Sequence, residues 1–505
     1  MSEPVSTDSL YELSKPMDIA VSPDGTRAAL VVTERDGEEE RNRSSLFVVP
    51  TDGSREPHRL ARVSDGSQPA WSPDGTRLGF VAARDQDIER SIGRPPGESE
   101  DEERDDSEGD GETAEPEESG GGDDEPKPQV WLFDLERGGD AVQVTDRDEG
   151  VRGFDWGPAG DRVVVSARDP TDEEQEQVDQ RRDDGPIEVE RLQHKSEGSG
   201  WNDPVRSYLF VVGIESGESR RLDDAYGGGA MEPMVGLQPA WSPDGDRIAF
   251  VSNRTERPDD STAMDVYTVA PSGGDAERLT DGDVEAGDMV WSPDGSRLAF
   301  ASWNPENMYV PSEIYVLDRT GSYESVSGSL DRTCSWFATP VWLDDETLLA
   351  GIADEGQVRP YSLDAATDDP EQRLDTLGRD RSVRLLDAAG GRVVCSVDGP
   401  DTGHDLYALS EQDLDASFDD AAVRLTRLNR GFIEEQPTAE LHRVLTEHDD
   451  AEGDGDPVTV ESMVYTPPEF DPGDPEPHPT ILWPHGGPMA YDDPAFRFSN
   501  TYFTS

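Results

Sequence analysis

The sequence predicts an all-β propeller of about seven four-stranded blades, followed by the beginning of an α/β domain. Three observations predict it: a recurring turn motif, an alternating strand pattern after each turn, and a change of pattern near residue 430. The motif is Trp-Ser-Pro-Asp-Gly at 71–75, 241–245 and 291–295, with looser copies at 21–25 and 156–160.

The motif suits a type I turn between two antiparallel strands. Its serine can bond back to the turn, its proline presets φ, and its glycine closes the fourth position. Arginine and alternating apolar residues follow, as at 247–251, which is typical of a strand with buried alternate residues. Several turns are followed by a further strand, at 45–49, 129–134, 208–212, 265–269 and 313–317.

The repeat has a basic spacing of 50 residues, as between Pro23 and Pro73. One four-stranded sheet cannot bury both of its faces, whereas similar sheets stacked around an axis bury them. The regular spacing favours this propeller over several separate β-sandwiches. We expect residues 1–16 to be an N-terminal extension and 17–432 to be the propeller. Seven blades are expected, with six or eight as alternatives, beginning near residues 17, 67, 151, 236, 286, 338 and 382.

Two inserts stretch the spacing. Residues 85–128 include a run from Gly97 to Pro126 dominated by Glu, Asp, Gly and Ser, which cannot bury enough apolar surface to offset the entropy of ordering. We expect a disordered loop there. Residues 169–200 are charged but more mixed, and we expect a second solvated loop.

The charge balance is typical of proteins from concentrated salt. The 112 acidic and 44 basic residues give a net charge of −68. This is one net charge roughly every 16 Å of a compact surface, and the screening length falls from about 8 Å at physiological salt to about 3 Å at 1 M. Because the charge is spread along almost the whole chain, a haloarchaeal-type, high-salt cytoplasm is favoured over an acidic binding surface.

Other classes of site and partner receive little support. Nucleic acid is disfavoured because its phosphates would be repelled. The polar N-terminus lacks the apolar run of a signal peptide or membrane anchor, so we expect a cytoplasmic protein. Cys334 and Cys395 are too few for a disulfide framework and are expected to be packing residues. The seven histidines are scattered, so neither a metal nor another cofactor is expected.

The second region, 433–505, begins with a linker at 432–439 and continues with strands expected at 441–445 and 458–465. A Pro-rich segment is followed by the apolar run 480–483 and then by His485-Gly486-Gly487-Pro488. We expect the apolar run to form a buried strand. In α/β-hydrolases an N–H after this strand helps to bind the oxyanion of acyl transfer. Gly487, and less securely Gly486, are therefore the candidate oxyanion-hole residues, whereas His485 is favoured as a structural turn residue over a general base.

With these motifs the sequence resembles the prolyl oligopeptidase family of serine peptidases, and within it the acylaminoacyl-peptidase branch. The resemblance implies an N-terminal propeller that restricts entry to short peptides and a C-terminal hydrolase domain with a Ser-Asp-His triad. No G-x-S-x-G motif occurs in the chain. We therefore expect a chain truncated within the hydrolase domain, with no catalytic residue of its own and no activity alone.

A different class of function stays open. The propeller could act alone, as TolB-like propellers do, as a module that binds a protein or a peptide. The sequence leaves open the substrate preference, exopeptidase against endopeptidase action, and the oligomeric state.

Overall fold

A computed structural model places seven antiparallel blades around one axis, which confirms the predicted propeller. Blades 1 and 2 share one seven-stranded sheet, and each remaining blade is a separate four-stranded sheet. The structure describes residues 5–37, 40–84, 126–182, 185, 194–196, 200–201, 204–229, 232–307, 309–336, 338–436, 438–448, 457–468, 470–471, 473, 477–486 and 491–505. Most of the predicted acidic loop 85–128 therefore lies outside the described residues.

In each of the first three blades, the strands run in chain order from the axis to the outer edge. Strand β4 leaves the outer edge of blade 1 and continues as the innermost strand of blade 2, which explains the shared sheet. The strands are β1 (Ser14–Val21), β2 (Arg27–Asp36), β3 (Arg41–Pro50), β4 (His58–Trp71), β5 (Arg77–Ala83), β6 (Gln129–Asp134), β7 (Val142–Gln143), β8 (Gly153–Trp156), β9 (Arg162–Arg168), the short pair β10 (Lys195–Ser196) and β11 (Gly200–Trp201), β12 (Ser207–Gly213) and β13 (Ser219–Gly227).

Blades 4 to 7 repeat the same meander. Their strands are β14 (Ala240–Trp241), β15 (Ile248–Ser252), β16 (Asp265–Val269), β17 (Glu277–Arg278), β18 (Glu285–Trp291), β19 (Arg297–Trp303), β20 (Glu313–Asp318), β21 (Tyr323–Ser325), β22 (Val341–Trp342), β23 (Thr347–Asp354), β24 (Gln357–Asp364), β25 (Glu371–Gln372), β26 (Ser382–Ala389), β27 (Arg392–Gly399), β28 (Gly403–Ser410) and β29 (Val423–Arg424).

The repeated motif forms the predicted turn between the first two strands of a blade. In blade 2 the Gly75 N–H donates to the Ser72 carbonyl at 2.8 Å, and the Ser72 hydroxyl donates to Asp74 at 2.6 Å. The same hydroxyl accepts the Arg77 N–H at 2.9 Å. Gly75 has a φ of +68°, where a side chain would be strained. The serine, the aspartate and the glycine of the motif therefore each have a structural role in the turn.

Tryptophans of the motif connect neighbouring blades. The indole N–H of Trp71 donates to the Ala20 carbonyl of blade 1 at 2.9 Å. Trp156, Trp291 and Trp342 make the equivalent bond to the preceding blade at 3.0–3.1 Å. Trp241 differs, because its indole donates to Gly245 within its own turn at 3.3 Å.

Apolar side chains fill the spaces between adjacent blades. The ring closes where Leu30 and Val49 of blade 1 meet Leu406 of blade 7 in one buried cluster. Cys334 and Cys395 are both free and buried in such clusters, as expected of packing residues. Burial raises the pKa of the Cys395 thiol to about 12, so it stays protonated at neutral pH.

Carboxylates on the innermost strands bond to the next blade. Asp155 accepts the Trp241 N–H at 2.6 Å, and Asp387 accepts the Val21 N–H at 2.6 Å across the ring closure. Burial raises the pKa of Asp155 to about 6, although two backbone N–H donors oppose the shift. These contacts fix the blades around the axis but place several acidic groups close to it.

Segments outside the blades refine the predicted boundaries. A 3-10 helix spans Thr7–Glu12, and β1 begins at Ser14, inside the expected extension 1–16. Part of the insert 169–200 is a solvated helix rather than a loop, since Thr171 and Glu174 form a capping box at its start. The helices are α1 (Asp172–Arg182), α2 (Glu232–Val235), α3 (Phe418–Ala421), α4 (Arg430–Glu435), which overlaps the predicted linker, and α5 (Phe498–Thr504).

The C-terminal region contributes one antiparallel hairpin, β30 (Glu440–His448) and β31 (Val458–Thr466), where two strands were predicted. The apolar run 480–483 forms no strand in the structure. Ile481, Leu482 and Trp483 are 60%, 89% and 66% exposed. The run is therefore neither a strand nor buried in this chain, because no neighbouring strand among the described residues covers it, and its burial in a complete hydrolase sheet stays a prediction.

Candidate functional site

The two faces of the propeller carry different features. In a four-stranded meander the first and third turns lie at one face, and the second turn and the link to the next blade lie at the other. The Trp-Ser-Pro-Asp-Gly motif occupies first turns, so we call that side the turn face. Both long inserts are second turns, between β5 and β6 and between β9 and β12, and so emerge at the opposite side, the loop face.

The β30–β31 hairpin lies against the loop face. Arg443 of β30 donates to Asp380, in the link between blades 6 and 7, at 3.0 Å. The same guanidinium pairs with Glu461 of β31 at 3.1 Å, and Glu461 pairs with Arg379 of that link at 3.0 Å. The start of the second region is therefore held to this face by a network of charged side chains.

The candidate oxyanion residues lie beyond this hairpin. Gly486 is exposed, and among the described residues no atom beyond its chain neighbours lies within 4 Å of the position that a Cβ would take there. Gly487 lies outside the described residues. The exposed His485 has its Nδ1 3.3 Å from the Gly486 carbonyl oxygen. Of the two predicted site residues, the described part of the chain thus contains only Gly486, and the oxyanion-hole role of the pair remains a prediction.

Shortly after the glycines, the chain returns to blade 7. Asp493 pairs with Arg384, on the innermost strand β26, with Nη2 2.6 Å from Oδ2. Three residues on, the Phe496 N–H donates to Asp398 of β27 at 2.9 Å. Phe496 and Phe498 both pack on Phe432 of α4. A short segment after the glycine turn is therefore fixed to the propeller by polar and apolar contacts.

A Ser-His-Asp set lies beneath this contact, inside blade 7. His404 Nε2 is 2.8 Å from the Ser396 hydroxyl, and its Nδ1 is 4.0 Å from Asp398. Burial, together with the charges of Arg384 and Lys15, lowers the pKa of His404 to about 3. The Ser396 side chain also accepts the Leu385 N–H at 2.9 Å.

This set is structural rather than catalytic. Ser396 is 0% exposed, so a substrate carbonyl cannot reach its hydroxyl. An acyl-transfer serine needs both access to the substrate and oxyanion donors around the attacked carbonyl. The Ser396 and His404 side chains instead satisfy each other's hydrogen bond within the blade, while Asp398 accepts the Phe496 N–H.

The arginines near the docked tail are already engaged by carboxylates of the chain. Arg384 pairs with Asp493, Arg379 with Glu461, and Arg359 with Asp354 at 3.0 Å. A peptide carboxylate would have to compete with these partners at each position. Among the described residues no group of His, Cys, Asp or Glu could hold a metal ion. Likewise, no helix in the described part of the chain has the length and apolarity needed to cross a membrane.

One curated relative matches part of the chain. It is the uncharacterized peptidase YuxL of Bacillus subtilis (strain 168), 26% identical over 272 residues. The match takes in 53% of this chain and 34% of the relative, so the chain is homologous to a peptidase over about half of its own length. No family model matches the chain.

Solved structures match nearly the whole chain. An acylaminoacyl peptidase in complex with Z-Gly-Gly-Phe-chloromethyl ketone superposes with a TM-score of 0.69 at 17% identity, over 98% of this chain and 64% of its own. Pyrococcus horikoshii acylaminoacyl peptidase gives 0.68 at 17% identity, with the same coverage. A puromycin-hydrolyzing peptidase of Mycobacterium tuberculosis gives 0.58 at 17% identity, over 99% of this chain and 66% of its own. At these identities the matches establish the fold, a seven-bladed propeller like that of acylaminoacyl peptidase, and this chain spans less than two thirds of each match.

Proposed function

We propose that this chain is the N-terminal portion of a serine peptidase that resembles acylaminoacyl peptidase and hydrolyses short or N-blocked peptides through an acyl-enzyme. The observation that carries the proposal is the order of parts along the chain. A seven-bladed propeller is followed by a hairpin docked on its loop face and then by His-Gly-Gly-Pro at 485–488. The peptidase relative and the solved peptidases support the same conclusion.

In this proposal the chain supplies the oxyanion-binding turn, and the nucleophile comes from another part of the protein. In the proposed reaction, the backbone N–H of Gly487, with Gly486 as the second candidate, stabilises the oxyanion as a serine attacks the peptide carbonyl. The nucleophile must come from outside this sequence, because no G-x-S-x-G motif occurs in it and Ser396 is buried. The 505-residue chain alone is therefore inactive in this proposal.

The propeller acts as a size filter in the same proposal. A catalytic domain that continues from the docked hairpin would lie over the loop face, so that substrates reach it past the propeller. Short peptides would enter and folded proteins would not.

The product of the complete gene tests these statements. It should hydrolyse acetylated di- and tripeptide p-nitroanilides, and its rate should fall steeply between pentapeptides and a folded protein that carries the same cleavable sequence in an exposed loop. A complete product with no hydrolase activity would contradict the proposed reaction. Equal rates on short and long substrates would contradict the filter alone.

A stand-alone binding propeller remains the second candidate. It is favoured by the completeness of the ring, since blades 1 and 7 close it with residues of this chain only. The coding sequence directly after the Ser505 codon separates the two candidates. A continuing frame with G-x-S-x-G supports the peptidase, and an unrelated sequence supports the binding module.

The composition supports a location as well. We propose that the protein works in a cytoplasm of high salt, where a net charge of −68 is screened over about 3 Å.

A further inference from the structure

We infer that Arg384 and Asp398 of blade 7 form a latch that binds residues 493–496 and so positions the glycine turn that precedes them. Their partners are the Asp493 side chain and the Phe496 backbone N–H. The latch is a property of the 505-residue chain itself. Only its consequence for catalysis, the placing of an oxyanion turn, rests on the proposed function.

The Arg384–Asp493 pair is the charged half of the latch. Arg384 Nη2 lies 2.7 Å from Oδ1 and 2.6 Å from Oδ2 of Asp493. The Asp493 side chain is 5% exposed and that of Arg384 is 25% exposed. A carboxylate that is buried to this extent is destabilised if its closest cation is removed, because the more distant Arg497, at 3.6 Å, then compensates its charge only in part. The segment around Asp493 therefore depends on Arg384 to stay buried.

Asp398 extends the latch along the same segment. Its Oδ1 accepts the Phe496 N–H at 2.9 Å, and its Oδ2 lies 3.9 Å from Arg384 Nε. One guanidinium thus lies between two carboxylates, Asp398 from the propeller and Asp493 from the tail. The side chain of His404 faces Asp398 from β28, and Arg497 approaches Asp493 at 3.6 Å.

Apolar contacts complete the docking. Phe432 of α4 meets Phe496 with ring centroids 5.9 Å apart and Phe498 at 6.1 Å. Ala495, between the two polar contacts, is 4% exposed. The described residues before the turn contrast with this, because Leu482 is 89% exposed. The chain is exposed ahead of the glycine turn and buried soon after it.

The short chain distance between Gly487 and the docked Asp493 restricts the positions that the glycine turn can take. Six peptide units separate Gly487 from Asp493, and a fully extended chain spans at most about 3.4 Å per residue. With Asp493 held on β26, Gly487 therefore stays within about 20 Å of Asp493. In the proposed peptidase, Arg384 and Asp398 are thus positioning residues that act through the segment they hold.

Hydrogen exchange on the purified 505-residue chain tests the latch. In Arg384→Gln and in Asp493→Asn, peptides that cover residues 491–505 should exchange at least about tenfold faster than in the unsubstituted chain. Arg424→Gln is the matched control, since Arg424 pairs at 2.5 Å with the buried Asp405 of the same blade, away from the tail. This control should leave the exchange of 491–505 unchanged.

Two further measurements keep the test decisive. Asp493 lies outside the propeller, so Asp493→Asn gives the answer even if Arg384→Gln fails to fold, and circular dichroism identifies such a failure. The exchanged pair Arg384→Asp with Asp493→Arg should restore at least part of the protection, which a general loss of stability would not allow. Unchanged exchange of 491–505 in Asp493→Asn, or equal acceleration in Arg424→Gln, would overturn the latch. Because exchange needs no catalysis, this result is independent of whether the complete gene product proves to be a peptidase.

Discussion

The inter-blade tryptophan bonds predict that two equivalent substitutions have unequal effects. In Trp71→Phe the Ala20 carbonyl of the preceding blade loses an indole donor at 2.9 Å, whereas in Trp241→Phe the lost bond lies within a single turn. Both rings are buried and both are covered by an arginine, from Arg27 and Arg162. The loss of ring volume is therefore common to the two variants.

The difference between the two variants isolates the inter-blade bond. A net hydrogen bond contributes about 1 kcal/mol, and a buried acceptor left without its donor costs about 1–3 kcal/mol. We expect Trp71→Phe to lower the free energy of unfolding by about 1–2 kcal/mol more than Trp241→Phe does. Urea unfolding at fixed high salt, followed by far-UV circular dichroism, measures this difference. Equal losses, or a larger loss in Trp241→Phe, would refute the assignment of Trp71 as a connection between blades.

Three other predictions concern stability. Gly25→Ala should destabilise the chain more than Gly75→Ala, as measured by melting temperature: both glycines have a φ near +70°, but a Cβ at Gly25 would lie 2.7 Å from the Gly390 carbonyl of blade 7, and one at Gly75 has no atom nearer than 3.6 Å. Asp155→Asn should gain stability relative to the unsubstituted chain as pH rises from 4 to 7. Burial raises the folded-state pKa of Asp155 to about 6, above its ordinary value of 3.8, so the stability that the protonated carboxyl contributes is lost progressively as the pH rises from about 4 through about 6, by up to about 3 kcal/mol. A pH-independent difference in stability between the two proteins would contradict this. The melting temperature should rise between 0.15 and 2 M KCl, roughly in step with the shortening screening length, and a fall would argue against adaptation to salt.

The propeller was predictable because its local chemistry repeats. Pro73 and Gly75 have local conformational roles that can be assigned from the sequence alone. In blades 6 and 7, where the motif is degenerate, the repeat spacing still predicts the blade. The helix α1 was missed although Thr171 and Glu174 form a readable capping signature. In that insert the high charge obscured the local signal.

The contacts of the second region were beyond sequence reasoning. Arg384 and Asp493 lie 109 residues apart, in segments with no shared period, so nothing in the sequence pairs them. The sequence also gives no indication of the Ser396–His404 contact, because these residues meet only through the register of β27 and β28. The apolar run 480–483 shows that hydrophobicity alone does not predict burial. Hydrophobicity indicates that a segment can be buried, but the partners that bury it are a tertiary property.

In the proposed function, this chain supplies a propeller and a glycine turn but no reactive serine. The most direct measurement is to incubate the purified 505-residue chain with a fluorophosphonate probe and, in parallel, with acetylated peptide p-nitroanilides, using Ser396→Ala as a reference. We expect no covalent labelling and no hydrolysis by either protein. Stoichiometric labelling of a serine, or hydrolysis by the pure chain, would contradict it.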